Sequence, residues 1–148
     1  MAFRYSLQTV LRLRASLEKQ AEQRLQAAVA TVAKLRNQLQ ALDETHGVET
    51  KRRQNALTSG ALGSELQFYL LADTALLQHR VALQAKLLEA EHKRVQQVAL
   101  YQAARQKREI LQALRDRAEA AYKLKADRRE QQQIDESFLM RAFLESLD

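Results

Sequence analysis

The chain has 148 residues, a formal net charge of +6, three Gly and no Pro, Cys or Trp. Without Cys there is no disulfide and no thiol chemistry. Aromatics at only 5% leave a strand-rich fold poorly supplied. No apolar run approaches the ~18 residues of a membrane-crossing helix. The positive charge implies an acidic partner surface of protein, nucleic acid or lipid.

The remaining composition favours helix. Ala, Leu, Gln, Arg, Glu and Lys dominate, and all lose little side-chain entropy there. A chain almost free of Gly and Pro can hold very long helices. The stretch from Met1 to Leu17 carries Arg4, Arg12 and Arg14 and no acid, which a transit peptide also does. Its apolar residues run straight into a helix where Glu18 and Glu22 follow, so it reads as the start of that helix. A first helix is predicted over about 4–58. Ala21, Leu25, Ala28, Val32, Leu35, Leu39 and Leu42 alternate steps of four and three, the seam of a coiled coil. Upstream, Leu7, Val10, Leu13 and Leu17 are expected to continue the stripe with a shift of register. Beyond Leu42 the pattern fades, and Gly47 is a weak point costing about 1 kcal/mol relative to Ala.

A turn is predicted at about 59–64, the one cluster of turn residues. Gly60 suits a left-handed C-cap, and Ser64 with Gln67 fits a capping box for a second helix over about 65–145. Its expected stripe is Leu66, Leu70, Leu77, Leu83, Leu87, Val95, Val98, Leu111, Leu114, Ala118 and Ala121. The stripe drifts between Val98 and Leu111, as in a nearly straight helix. At 1.5 Å per residue the helices are about 80 and about 120 Å long. The expected fold is therefore all-α, one antiparallel two-helix coiled-coil hairpin over 1–148. Its second helix overhangs from about Lys123 to Asp148. The overhang ends in Ile134, Phe138, Leu139, Met140, Phe143, Leu144 and Leu147, an apolar cluster that invites a partner.

Catalytic chemistry is not legible. His46, His79 and His92 are far apart in sequence, and Gly60 and Gly63 lack the ending of a phosphate loop. Asp135 and Glu136 are adjacent and so point to different helix faces. No cofactor or metal is expected, and the chain reads as a binding protein, not an enzyme. Basic residues gather in the first 36 positions and between Arg105 and Arg129. In an antiparallel hairpin these stretches share one end, where an acidic binding site is expected. Leu, Ala and acids interrupt the basic runs and no aromatic platform stands among them, so nucleic acid ranks below protein as a partner. The alternative is an unrelated basic hairpin that binds RNA or acts as a general chaperone or adaptor.

Three motifs in order resemble one family. These are Phe3-Arg4-Tyr5-Ser6-Leu7-Gln8-Thr9-Val10-Leu11-Arg12-Leu13-Arg14 at the start, and a Gly turn followed by Tyr69 and Gln78-His79-Arg80. The third is Arg128-Arg129-Glu130-Gln131-Gln132-Gln133-Ile134-Asp135-Glu136. Together they resemble the FliJ family, the small coiled-coil component of the bacterial flagellar export apparatus. The resemblance spans essentially the whole chain and implies a stalk like the gamma subunit of rotary ATPases. It implies three partners: the hexameric export ATPase, the cytoplasmic domain of the membrane export gate, and export chaperones. It also implies a cytoplasmic location peripheral to the inner membrane. Gate contacts are implied for Gln38, Leu42, Phe68, Ala72, Ala75 and His79, while Thr45 and Glu49 stand where some members carry aromatics. Candidate contacts to the ATPase ring are Arg4, Leu7, Leu11, Arg128, Arg129, Ile134, Asp135, Phe138, Leu139 and Phe143.

Overall fold

The computed structural model describes residues 2–148, and among them the chain is all-α. Helix α1 (Gln8–Thr58) and helix α2 (Gly63–Leu147) pack against each other, with no strand among the described residues. Helix α1 is closed off two residues past Thr58 by Gly60, whose φ of 79° only glycine adopts without strain. The Ala61 N–H then donates to the Ala56 carbonyl at 2.9 Å, which is the long bond of a Schellman cap. Helix α2 starts earlier than its sequence signal. Glu65 and Leu66 both donate their N–H groups to the Leu62 carbonyl, at 3.1 and 3.2 Å. Ser64 therefore sits inside the first turn and is not the cap. Glu65 lies in that turn, where its charge suits the helix N-terminus.

The chain divides into two compact units. The unit Gln20–Gln102 pairs α1 antiparallel with α2. Its seam on α1 reads Ala21, Leu25, Ala28, Val32, Leu35, Leu39, Leu42, His46, Glu49, Arg53 and Ala56, all buried or half-buried. The alternation of four and three does not fade after Leu42. It continues with polar occupants, because Asp73 on α2 meets them: His46 Nδ1 lies 3.0 Å and Arg53 3.4 Å from its carboxylate. The α2 side of this seam reads Leu66, Tyr69, Asp73, Leu76, Arg80, Leu83, Leu87, Ala90, Arg94, Gln97 and Tyr101. Val32, Leu83 and Ala90 are its buried core. Leu70, Leu77 and Val95, expected in the stripe, are exposed.

The second unit joins the N-terminal segment up to Lys19 with Ala103–Asp148. Its seam is Leu11, Arg14 and Glu18 on α1, against Ala104, Arg108, Leu111, Arg115, Ala118 and Tyr122 on α2. Arg108 donates to both Glu18 oxygens, at 2.5 and 3.3 Å. The Tyr5 hydroxyl donates to the Leu111 carbonyl at 3.4 Å, and Phe3 packs at a tilt against Tyr122 with ring centroids 5.6 Å apart. These contacts replace the expected packing. Leu7, Val10, Leu13 and Leu17 are exposed, as are Leu114 and Ala121. There is no register shift on α1, where Leu11, Arg14, Glu18, Ala21 and Leu25 step by three and four. Nor does α2 drift: the same steps run unbroken from Leu66 to Tyr122. Charged seam residues hide this regularity in the sequence. Arg buries its stem and keeps its head in water or on a carboxylate, so it can hold a position that apolar counting skips.

Candidate functional site

The seam defines the sides of the pair. Positions a and d are lettered so that d follows a by three residues and a follows d by four. On each helix g precedes a, with c behind it; e follows d, with b behind it. In an antiparallel pair g borders g and e borders e. Arg36 and Glu91, both at e, form an ion pair across the helices. Glu91 accepts a second bond from Arg94 at 2.9 Å. That hydrogen bond, chiefly, holds its carboxyl below the ordinary range; desolvation opposes it and the Arg36 charge adds to it.

All six gate candidates lie in the unit Gln20–Gln102, and the structure brings them to one side of it. Gln38, Ala72 and His79 occupy g positions, Phe68 and Ala75 occupy c positions, and Leu42 is the adjoining d. Phe68, Ala72, Ala75 and His79 step by four, three and four, so they line one edge of α2. Phe68 is 69% exposed and meets Tyr69 edge-on at 6.3 Å. Leu42 is half-buried in the seam. A shallow groove on the same side runs over Ala28, Thr31, Leu35 and Ala90, because small residues leave the space open there.

The ring candidates lie in the other unit. Leu11 is 3% exposed, so it supports the pairing of the helices and offers a partner almost no surface. Arg4 and Leu7 are exposed beside it. Every residue from 123 to 148 is exposed, though α2 stays helical to Leu147. In this last stretch Leu139, Phe143 and Leu147 step by four along one edge. Ile134 and Phe138 step by four along another, since Phe138 and Leu139 point about 100° apart. Arg128 and Arg129 precede both edges, and Asp135 accepts a bond from Gln131 at 2.9 Å. A helix end with apolar side chains on two sides cannot satisfy both against one flat surface.

No group of three or more His, Cys, Asp or Glu side chains among the described residues is placed to hold a metal ion. No described helix is long and apolar enough to cross a membrane.

This arrangement defines the class of protein: two long helices joined by a tight turn and paired through an antiparallel coiled-coil seam. A family model described as Flagellar FliJ protein matches residues 3–147. The chain belongs to that family, and is accordingly a component of the flagellar export apparatus, in a family of non-catalytic members. No significant match was found among curated proteins or among solved structures.

Proposed function

We propose that this chain binds and stimulates the hexameric export ATPase as a central stalk, and links it to the export gate and to export chaperones. The observation that carries the proposal is the uncovered end of α2. From Lys123 onward nothing of α1 covers the helix, and apolar side chains stand on two of its edges. A partner that encloses the helix, as the lumen of a ring does, buries both edges at once; a groove buries one. The preceding Arg128 and Arg129 supply positive charge for an acidic rim. The ring contacts are then Arg4, Leu7, Arg128, Arg129, Ile134, Asp135, Phe138, Leu139 and Phe143. The gate is met by the edge of Phe68, Ala72, Ala75 and His79 with Gln38 and Leu42. The working place of the chain is the cytoplasmic side of the inner membrane, held there by these partners.

The experiment is turnover of the cognate hexameric ATPase with and without the chain. Stimulation is expected from the full chain and none from one lacking residues 134–148. The truncated chain should keep the unfolding free energy of the full one within about 0.5 kcal/mol, because it loses only exposed side chains. Equal turnover with both chains overturns the proposal. Phe68→Glu should separately weaken capture of the gate's cytoplasmic domain and leave turnover unchanged.

A further inference from the structure

In the unit of the N-terminal segment and Ala103–Asp148, the two sides of the helix pair differ sharply. The e and b positions are those of an ordinary surface: Arg12, Lys19, Arg105, Glu109, Gln112, Asp116, Glu119 and Lys123 among them. Ion pairs Arg105–Glu109 at 2.8 Å and Lys123–Glu119 at 3.3 Å tie them together. The g and c positions carry Val10, Leu13 and Leu17 on α1, with Ile110, Leu114 and Leu124 on α2. These six side chains are 39–57% exposed. They add up to roughly 500 Å² of apolar surface, the size of the largest patch on a typical monomer, which is often functional. Lys107 at g and Arg117 at c stand among them, and no carboxylate occupies a g or c position here.

We infer that this side takes a third helix, an amphipathic helix of a partner protein whose apolar stripe is flanked by Asp or Glu. The inference goes beyond stimulation of the ATPase and uses none of the residues past Leu124. The shape argument comes first. The g and c residues of two antiparallel helices leave a groove between ridges, and a helix seats in such a groove at about 8–10 Å from each axis. The face continues directly from the seam, so the third helix would extend an interface that already exists. The sign of the charge then selects the occupant. A second copy would set Lys107 and Arg117 against their own counterparts, with no acid to answer them. An acidic flank answers them both.

The test uses the full chain and a synthetic helix of about three heptads with Leu at a and d. One version carries Glu at e and g, the other Lys. Calorimetric titration should show binding of the Glu version, weakening with added salt. Leu114→Glu and Leu17→Glu should each lower that affinity more than tenfold, and Lys107→Glu about tenfold. Glu109→Gln on the opposite side should leave it unchanged. These positions lie outside the seam, and circular dichroism should show full helicity. If Leu114→Glu loses helix, Leu13→Glu, at 57% exposure, carries the same test. Equal affinity for the Lys version, or indifference to Leu17→Glu, overturns the inference. So does a dimer in sedimentation that Leu114→Glu dissolves, which assigns the face to a second copy. Co-sedimentation with phosphatidylserine vesicles that Leu114→Glu abolishes, without peptide binding, assigns it to lipid and overturns it as well.

Discussion

Replacing Glu18 and Arg108 with Leu, singly and together, measures what a charged pair does in this seam. Their side chains are 16% and 28% exposed, and Arg108 donates to both carboxylate oxygens. An exposed pair is worth ~0–1 kcal/mol. A hydrogen bond between charged groups contributes about 1.5–3 kcal/mol. This pair lies between those cases, at about 1.5 kcal/mol. Glu18→Leu alone gains part of a leucine's burial, about 1 kcal/mol here, but leaves the guanidinium in the seam without its carboxylate. That loss is about 2–3 kcal/mol, so the single variant should be about 1–2 kcal/mol less stable. Arg108→Leu should behave alike, since a carboxylate stranded in the seam is no easier to solvate. The double variant removes both charges of the pair together. It adds one more leucine to the run of Leu11, Ala21 and Leu25, and should be about 1 kcal/mol more stable than the parent. The coupling from the four proteins is then about 3 kcal/mol or more. Urea unfolding followed by circular dichroism gives all four values. Additive singles, with coupling under about 0.5 kcal/mol, would refute the claim that Glu18 and Arg108 act as a seam pair.

Two glycines should respond in opposite directions to the same substitution. At Gly47, inside α1, an added Cβ meets nothing within 4 Å, so Gly47→Ala should stabilise by about 1 kcal/mol in thermal melts. Gly60 also has open space, but at φ 79° Ala is strained, so Gly60→Ala should destabilise by about 1–2 kcal/mol. Acid should weaken the Gln20–Gln102 unit through Glu91. Its folded pKa is depressed, so its contribution is present above the unfolded pKa and is lost as pH falls through the folded one. Glu91→Gln should flatten that part of the profile of melting temperature against pH, and an unchanged profile counts against the assignment.

What the sequence made legible was the part written in apolar residues. Ala21 to Leu42 is the seam as read, and Gly60 is the C-cap as read. The departures of the structure from the apolar pattern share one cause. Counting Leu and Val assumes that the paired face is the greasy face, and here the two diverge. Arg14, Glu18, His46, Asp73, Arg80, Arg94, Arg108 and Arg115 hold seam positions. Meanwhile Val10, Leu13, Leu17 and Leu114, expected as core, hold g and c positions and are exposed. A stripe threaded through those leucines requires a stutter and a drift, whereas the observed steps of three and four require neither. The strict repeat does carry the register: projecting Ala21 and Leu25 backward by sevens lands on Arg14, Glu18 and Leu11. The misplaced leucines then gain a meaning that packing had concealed. A seam rich in charge is less stable than one of leucine, but a slip by one heptad would part Glu18 from Arg108 and Asp73 from Arg53, so the charges fix register. With register held by polar pairs, the apolar residues on the g side are not consumed by the hairpin, and their free energy of burial is left for whatever docks there.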